Sequence, residues 1–285
     1  MKKHDAFEIW LHQDEVLSDI HGAKVVLREP LQAWPLSAVE RITFGDGESR
    51  IYKAFHNLPI ETAFYRAVQS RFIPKVFFSH SIGDQHWLLL EDVQGQHPEN
   101  LSREQTLSLA RRARMIIDGL DPIGSYRCDL SEMGYDGFIC ETLELLRKLH
   151  SEKKLVAVGK AAIARIEKAL SRPEVLRTVR CQCALLHGDL KRSNILIRPD
   201  GELVIIDWQN ALFGPEDVDI YTMLAAQGFD PVPTAGIGPE ILRLALAIKW
   251  FADCADQWLP NWAGFYDGQI ADMEKHLRQI IGAHK

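Results

Sequence analysis

Between residues 22 and 95 apolar side chains recur mainly at alternate positions, and the elements this pattern predicts are strands. Lys24–Glu29 is a short run around Val25, Val26 and Leu27. Arg41–Phe44 alternates, with Ile42 and Phe44 on one face, and meets the turn Gly45-Asp46-Gly47, after which Ser49–Phe55 runs back. Asp-Gly between two such runs is a strong hairpin signal. Pro59 then opens a helix carrying Ile60, Ala63, Phe64 and Val68 at three-to-four spacing. Val76–Ser79 and His86–Asp92 are two further strands, the second almost wholly apolar across Trp87–Leu90. The sum is a small antiparallel sheet with one helix laid against it.

From about residue 100 the period becomes helical. Ser102 and Gln105 form a capping box ahead of Leu107, Ala110, Ala113 and Ile117. Phe138–His150 carries Ile139, Leu143 and Leu146 on one face, and further helices are expected over about 160–170, 239–258 and 267–282. A β-rich island at 183–207 interrupts them. A β-plus-one-helix lobe, residues 1–93, therefore precedes a mainly helical lobe, 94–285, joined near Gln94–Pro98.

Composition narrows the class. The 285 residues are 46% hydrophobic and 25% charged with net charge −6, which suits an enzyme-sized globular chain and excludes disorder. The acidic balance argues against sequence-independent nucleic-acid binding, which needs clustered Lys and Arg. The most apolar stretch, Ile241–Ala252, contains Arg243 and Lys249 and falls well short of the roughly 20 residues of a membrane span. Asp5, Glu8 and Asp14 break any apolar leader. The five cysteines read as reduced thiols of a cytoplasmic protein; Cys181 and Cys183 lack the second pair that a zinc site requires. The expectation is no nucleic acid, no membrane, and a monomer or homodimer.

The chemistry concentrates in Leu186-His187-Gly188-Asp189-Leu190-Lys191-Arg192-Ser193-Asn194 and in Ile206-Asp207-Trp208. Arg198 and Leu203 flank four loop-forming residues, Pro199-Asp200-Gly201-Glu202. A hairpin closed by that loop would oppose residues whose numbers sum to 401, and so set Asn194 against Asp207. Opposed Cβ atoms lie roughly 5 Å apart, and an amide oxygen beside a carboxylate suits Mg²⁺, which takes its remaining ligands from water and phosphates. Alone, each would be an ordinary polar residue at a strand end. Asp189, five residues before Asn194 on a loop bent at Gly188, can aim a carboxylate at an incoming hydroxyl. His187 is better read as a spacer bonding the backbone than as the base.

His187-Gly188-Asp189-Leu190 with Asn194, followed by Ile206-Asp207-Trp208, resembles the aminoglycoside phosphotransferase and choline kinase family of small-molecule kinases. The resemblance implies a two-lobed protein-kinase-like α+β fold with a catalytic β-hairpin in the helical lobe. It also implies Asp189 as catalytic base and Asn194 and Asp207 as Mg²⁺ ligands. Asp219 in Gly214-Pro215-Glu216-Asp217-Val218-Asp219 would support the catalytic loop. In the first lobe it implies Lys53 on the phosphates of ATP and Glu61 paired with Lys53, with backbone groups of Glu91 and Val93 on adenine. The loop between the first two strands, read as Pro30–Ser37, departs from the family in having no glycine, which leaves GTP as an alternative to ATP.

The implied reaction moves the γ-phosphate to a hydroxyl of a small acceptor. Trp250, Phe251, Trp258, Trp262 and Tyr266, with Asp253, Asp256 and Asp267, would suit a cationic amino alcohol or aminoglycoside, although helical core packing explains the same aromatics. The alternative is a kinase-fold nucleotide-binding or regulatory protein with little turnover.

Overall fold

A computed structural model describes residues 1–57, 59–120 and 127–284. The chain forms two compact units, one built from Met1–Asn100 and Arg192–Ala211, the other from Leu101–Asp118, Tyr126–Lys191 and Leu212–Lys285. The sequence expectation divided the chain once, at 93/94, whereas the segment 192–211 clusters with the first unit.

The first unit opens with a two-stranded ribbon, β1 (Lys2–Lys3) and β2 (Trp10–Leu11), and a short helix α1 (Asp14–His21). Then come β3 (Val25–Trp34), β4 (Ser37–Phe44), β5 (Ser49–His56), helix α2 (Pro59–Ala67), β6 (Val76–Ile82) and β7 (Gln85–Glu91). The five long strands form one antiparallel sheet ordered β3-β4-β5-β7-β6. Period-two alternation sends Ala38, Ile42, Phe44, Tyr52 and Ala54 to one face, where Ile9, Leu11 and Leu17 of the N-terminal segment cover them. In β5 the alternate residues Lys53 and Phe55 are buried as well, so this strand is covered on both sides.

The supposed loop 30–37 is corrected. The chain stays in strand to Trp34, which pairs with Ser37, and the turn is only Pro35-Leu36. Pro30 sits in edge strand β3 beside a register shift between Pro30 and Gln32, a place where a residue without N–H costs no ladder bond.

The second unit holds α3 (Arg103–Asp118), α4 (Tyr135–Ser151), α5 (Lys160–Leu170), α6 (Pro173–Val179) and β8 (Cys183–Leu186). After the hairpin β9 (Ile195–Ile197) and β10 (Leu203–Ile205) of the first unit come β11 (Leu212–Pro215), α7 (Asp217–Ala226), α8 (Val232–Ala235), α9 (Ile237–Asp253) and α10 (Ala263–Ala283). The capping box forms as read: Ser102 N–H donates to Gln105 Oε1 at 2.8 Å and Gln105 N–H to Ser102 Oγ at 3.2 Å. Apolar stripes of α4, α5, α9 and α10, among them Leu146, Ile166, Ile241, Ile248, Ile270 and Leu277, make one core. Strands β1, β2 and β11 and helices α1, α6, α7 and α8 have no counterpart among the elements expected from sequence. In α7 the reason is clear: Val218, Tyr221, Met223 and Leu224 are buried all round the helix, which leaves no amphipathic period.

Candidate active site

In the first unit, β5 carries Lys53 and α2 carries Glu61. Lys53 Nζ donates to Glu61 Oε1 at 2.8 Å, with Oε2 at 2.6 Å, and to Asp207 Oδ1 at 2.7 Å. Glu61 is 1% exposed and Lys53 7%. Burial would by itself lower the pKa of the Lys53 ammonium, but Asp207 and Glu61 outweigh that and hold it above its ordinary value. Burial pushes the Glu61 carboxyl up to about 7, with Asp207 adding to the rise and Lys53 opposing it. A cation thus bridges two carboxylates, one deeply buried, the other 28% exposed at its side chain.

Asp207 leaves the hairpin in the left-handed region, φ 67° and ψ 60°, a conformation that costs a non-glycine residue roughly 1–2 kcal/mol. Its Oδ2 accepts a long bond, 3.4 Å, from Gln209 Nε2. The hairpin register differs by one residue from that expected. Leu203 opposes Ile197 and Ile205 opposes Ile195, pairs that sum to 400, and Ile206 N–H donates to Asn194 O at 3.0 Å. The loop has three residues, not four: Arg198 pairs with Glu202, and Gly201 at φ 86° supplies the left-handed turn residue. Asn194 therefore faces Ile206, and cross-strand opposition does not join it to Asp207. What redirects Asp207 is its own backbone conformation, one residue beyond the ladder. Asn194 itself is 5% exposed.

The end of β7 is tied to this hairpin. Glu91 Oε1 accepts from Arg198 Nη2 at 2.7 Å, Gln96 pairs with Ile197, and the His97 ring meets Ile195 O at 2.9 Å. The Glu91 N–H donates to Lys75 O at 2.8 Å, so that donor is used inside the sheet. Val93 is buried. A Cβ on Gly95 would lie 2.9 Å from Ile197 O, so the approach of the two backbones requires glycine there.

In the second unit, β8 leads into the loop of His187, Gly188 and Asp189. Asp219, from the first turn of α7, is fully buried and accepts the His187 N–H at 2.9 Å, the Gly188 N–H at 3.0 Å and Arg114 Nη1 at 2.9 Å. Gly188 has φ 77°. His187 Nδ1 accepts the Asp189 N–H at 3.3 Å, which places a ring proton on Nε2. Lys191 Nζ donates to Asp189 Oδ2 at 2.7 Å. Lys191 and Arg114 escaped the sequence reading. The two-residue spacing of Lys191 from Asp189 was a usable signal, whereas nothing in the sequence joins Arg114 to Asp219.

The aromatic and acidic wall is corrected. Asp267 accepts three backbone N–H groups, of Val156, Ala157 and Val158, at 2.7–3.0 Å. Asp256 is paired with Lys148 and Lys154, and Asp253 with Lys249. The Arg127 guanidinium covers the Trp250 ring at 4.6 Å. These groups satisfy one another inside the unit, as core packing does. A cavity of about 790 Å³ in this unit is lined by other residues, Thr178, Asp217, Asp230 and His284 among them.

The model of a family described as "Phosphotransferase enzyme family" matches residues 23–267. No curated protein matches the chain significantly. Among solved structures, a thermostable mutant of aminoglycoside phosphotransferase APH(4)-Ia is 16% identical, with TM-score 0.64, covering 93% of this chain and 99% of that one. APH(2'')-IIa in its ternary complex with streptomycin and ATP is 16% identical, with TM-score 0.57 and coverages of 96% and 99%. A choline/ethanolamine kinase family protein from Mesorhizobium loti is 16% identical, with TM-score 0.58 and coverages of 89% and 88%. At these identities the likeness is one of fold, a protein-kinase-like α+β fold. With the family model spanning most of its length, the chain belongs to the phosphotransferase enzyme family.

Proposed function

We propose that this protein transfers the γ-phosphate of ATP to a hydroxyl group of a small molecule. The observation that carries the reading is Lys53, held between Glu61 and Asp207. Buried ammonium and carboxylate groups converging at the end of a stiff hairpin are costly unless used, and a nucleotide triphosphate supplies the charge that such a centre orders. The neighbour solved with streptomycin and ATP supports nucleotide use by the shared fold. Glu91, through its carbonyl, and Val93 are the proposed adenine contacts.

Asn194 and Asp207 offer an amide oxygen and a carboxylate, the hard donors that Mg²⁺ prefers, and the Asp207 side chain is accessible. These residues fit the ion and would hold it; when bound it would neutralise charge on the phosphate oxygens. The protein's own groups do the rest. Lys53 binds phosphate oxygens, and Glu61 keeps the ammonium in place. Asp189 orients the acceptor hydroxyl and takes its proton as the oxygen bonds to the γ-phosphorus. The bond from that phosphorus to the β–γ bridging oxygen breaks, and ADP leaves. Lys191, whose ammonium donates to Asp189, would balance the carboxylate's charge until the hydroxyl proton arrives. Asp219 fixes the loop by its two backbone bonds.

The acceptors proposed first are amino alcohols and aminoglycosides, on the family resemblance and on the neighbour solved with streptomycin, since the aromatic and acidic side chains of the second unit are spent on the fold. The test is ADP release in Mg·ATP against a panel of amino alcohols, aminoglycosides, macrolides and sugars. Asp189→Ala should slow transfer roughly 10²–10⁴-fold and leave ATP affinity within about twofold. Wild-type turnover in that variant would remove Asp189 from its role. Mg·ATP binding with no turnover on any acceptor would favour a binding or regulatory protein instead.

A further inference from the structure

Arg114 occupies a core position of α3. It shares the buried stripe of that helix with Leu109, Ala110, Ala113 and Ile117, and is only 4% exposed. A guanidinium in a dry interior is costly unless its donors are used. Nη1 donates twice, to Leu185 O at 2.8 Å and to Asp219 Oδ2 at 2.9 Å, while Nη2 pairs with Asp118. Both Nη1 acceptors border the loop that carries Asp189. Leu185 lies in β8, two residues before His187. Asp219 Oδ2 also takes the His187 N–H at 2.9 Å, and Oδ1 takes the Gly188 N–H at 3.0 Å. With the Asp189 N–H on His187 Nδ1, three successive amides are accounted for, two of them by a carboxylate that Arg114 itself holds. One nitrogen thus ties the end of β8 to the acid against which the chain turns at Gly188, φ 77°.

We infer that Arg114 is a positioning residue: by joining Leu185 to Asp219 through one nitrogen, it fixes the backbone of His187 and Gly188 and so the aim of the Asp189 carboxylate. The consequence for turnover rests on the role proposed above for Asp189; the hold on the loop does not. Guanidinium geometry matters here as much as charge. A lysine ammonium has no rigid fork with which to serve both Nη1 acceptors while a second nitrogen stays on Asp118.

Arg114→Lys keeps the charge and loses the fork. With Mg·ATP and choline, streptomycin or gentamicin as acceptor, kcat should fall about tenfold while KM for ATP stays within twofold. Assays run well below the variant's melting temperature, so that unfolded protein does not enter kcat. In the ligand-free variant the His187 and Gly188 amides should exchange with solvent about tenfold faster than in the wild type. Asp118→Asn removes the more exposed partner of the guanidinium and should leave kcat and both amides within about twofold of the wild type. Unchanged exchange at His187 and Gly188 in Arg114→Lys overturns the inference. So does faster exchange with an unchanged kcat, the mark of a structural role alone. Equal losses in Asp118→Asn overturn it too, because Nη1 would then not carry the hold. A wild-type protein that phosphorylates none of the three acceptors would sink the acceptor reading, and amide exchange would still decide whether Arg114 sets the loop.

Discussion

Lys53 Nζ and Asp207 Oδ1 stand 2.7 Å apart across 154 positions of sequence. The pair binds the central strand of the sheet to the exit of the hairpin within one unit. With Glu61 on its other side, the lysine's single charge is shared between two carboxylates that would otherwise repel.

Lys53→Met removes that cation and leaves both acids. The loss of stability should be about 3–5 kcal/mol at pH 8, the range for breaking a buried pair. It should be smaller at pH 5, because Glu61, already raised to about 7, takes up a proton and ceases to be an uncompensated charge. Urea denaturation at the two pH values checks this; a loss independent of pH would mean that Glu61 stays ionised without its partner.

Asp219 joins a buried ion pair to the backbone of His187 and Gly188. Asp219→Ala should destabilise the protein by about 3–5 kcal/mol, since it removes the buried partner of the Arg114 guanidinium, leaving it Asp118 and the Leu185 carbonyl, and frees two backbone N–H groups. Adding Arg114→Met should recover part of the loss. Strictly additive effects in thermal melts of the single and double variants would show that the two residues are not coupled.

Gly95→Ala should cost about 1–3 kcal/mol, because the new Cβ meets the Ile197 carbonyl, a backbone atom that cannot step aside. Gly137, inside α4 with nothing near its would-be Cβ, is the internal comparison. Gly137→Ala should stabilise by about 0.5–1 kcal/mol. Equal shifts in melting temperature for the two variants would contradict the close approach at Gly95.

Burial, then the nearby charges of His80 and Arg28, lowers the pKa of His12 from 6.5 to about 4, while its Nδ1 bonds to the Tyr52 hydroxyl at 2.9 Å. A histidine with a depressed folded-state pKa contributes stability that is fully present above about pH 6.5 and is lost as the pH falls through 4. The effect is roughly 1–3 kcal/mol. Urea midpoints at pH 7.5 and 4.5 should differ less in His12→Leu than in the wild type; an identical difference would place the titration elsewhere.

Local pattern carried much of this protein. The alternation in β4 and β5, the Asp-Gly turn, the capping box at Ser102 and the helical stripes of α4, α5, α9 and α10 follow from nearest-neighbour sterics and one-sided burial. Both are written in the order of residues. The motif from His187 to Asn194 and the Asp207 segment were legible for the same reason, since the family resemblance rests on fixed residue types at short spacing.

Other features were not local. The hairpin register turned on whether Glu202 belongs to the loop or the ladder, a one-residue choice that turn composition leaves open and backbone bonding closes. The carboxylates Asp253, Asp256 and Asp267 look available in sequence, yet each is satisfied by a partner or a backbone that only folding delivers. The residues alone therefore determined the family, most of the strands and long helices, and which side chains are candidates for chemistry, because those depend on periodicity and short-range spacing. Tertiary structure decided which of those side chains meet, what Arg114 holds, and which acids are spent on the fold, because contacts between distant segments are set by the packing of whole elements.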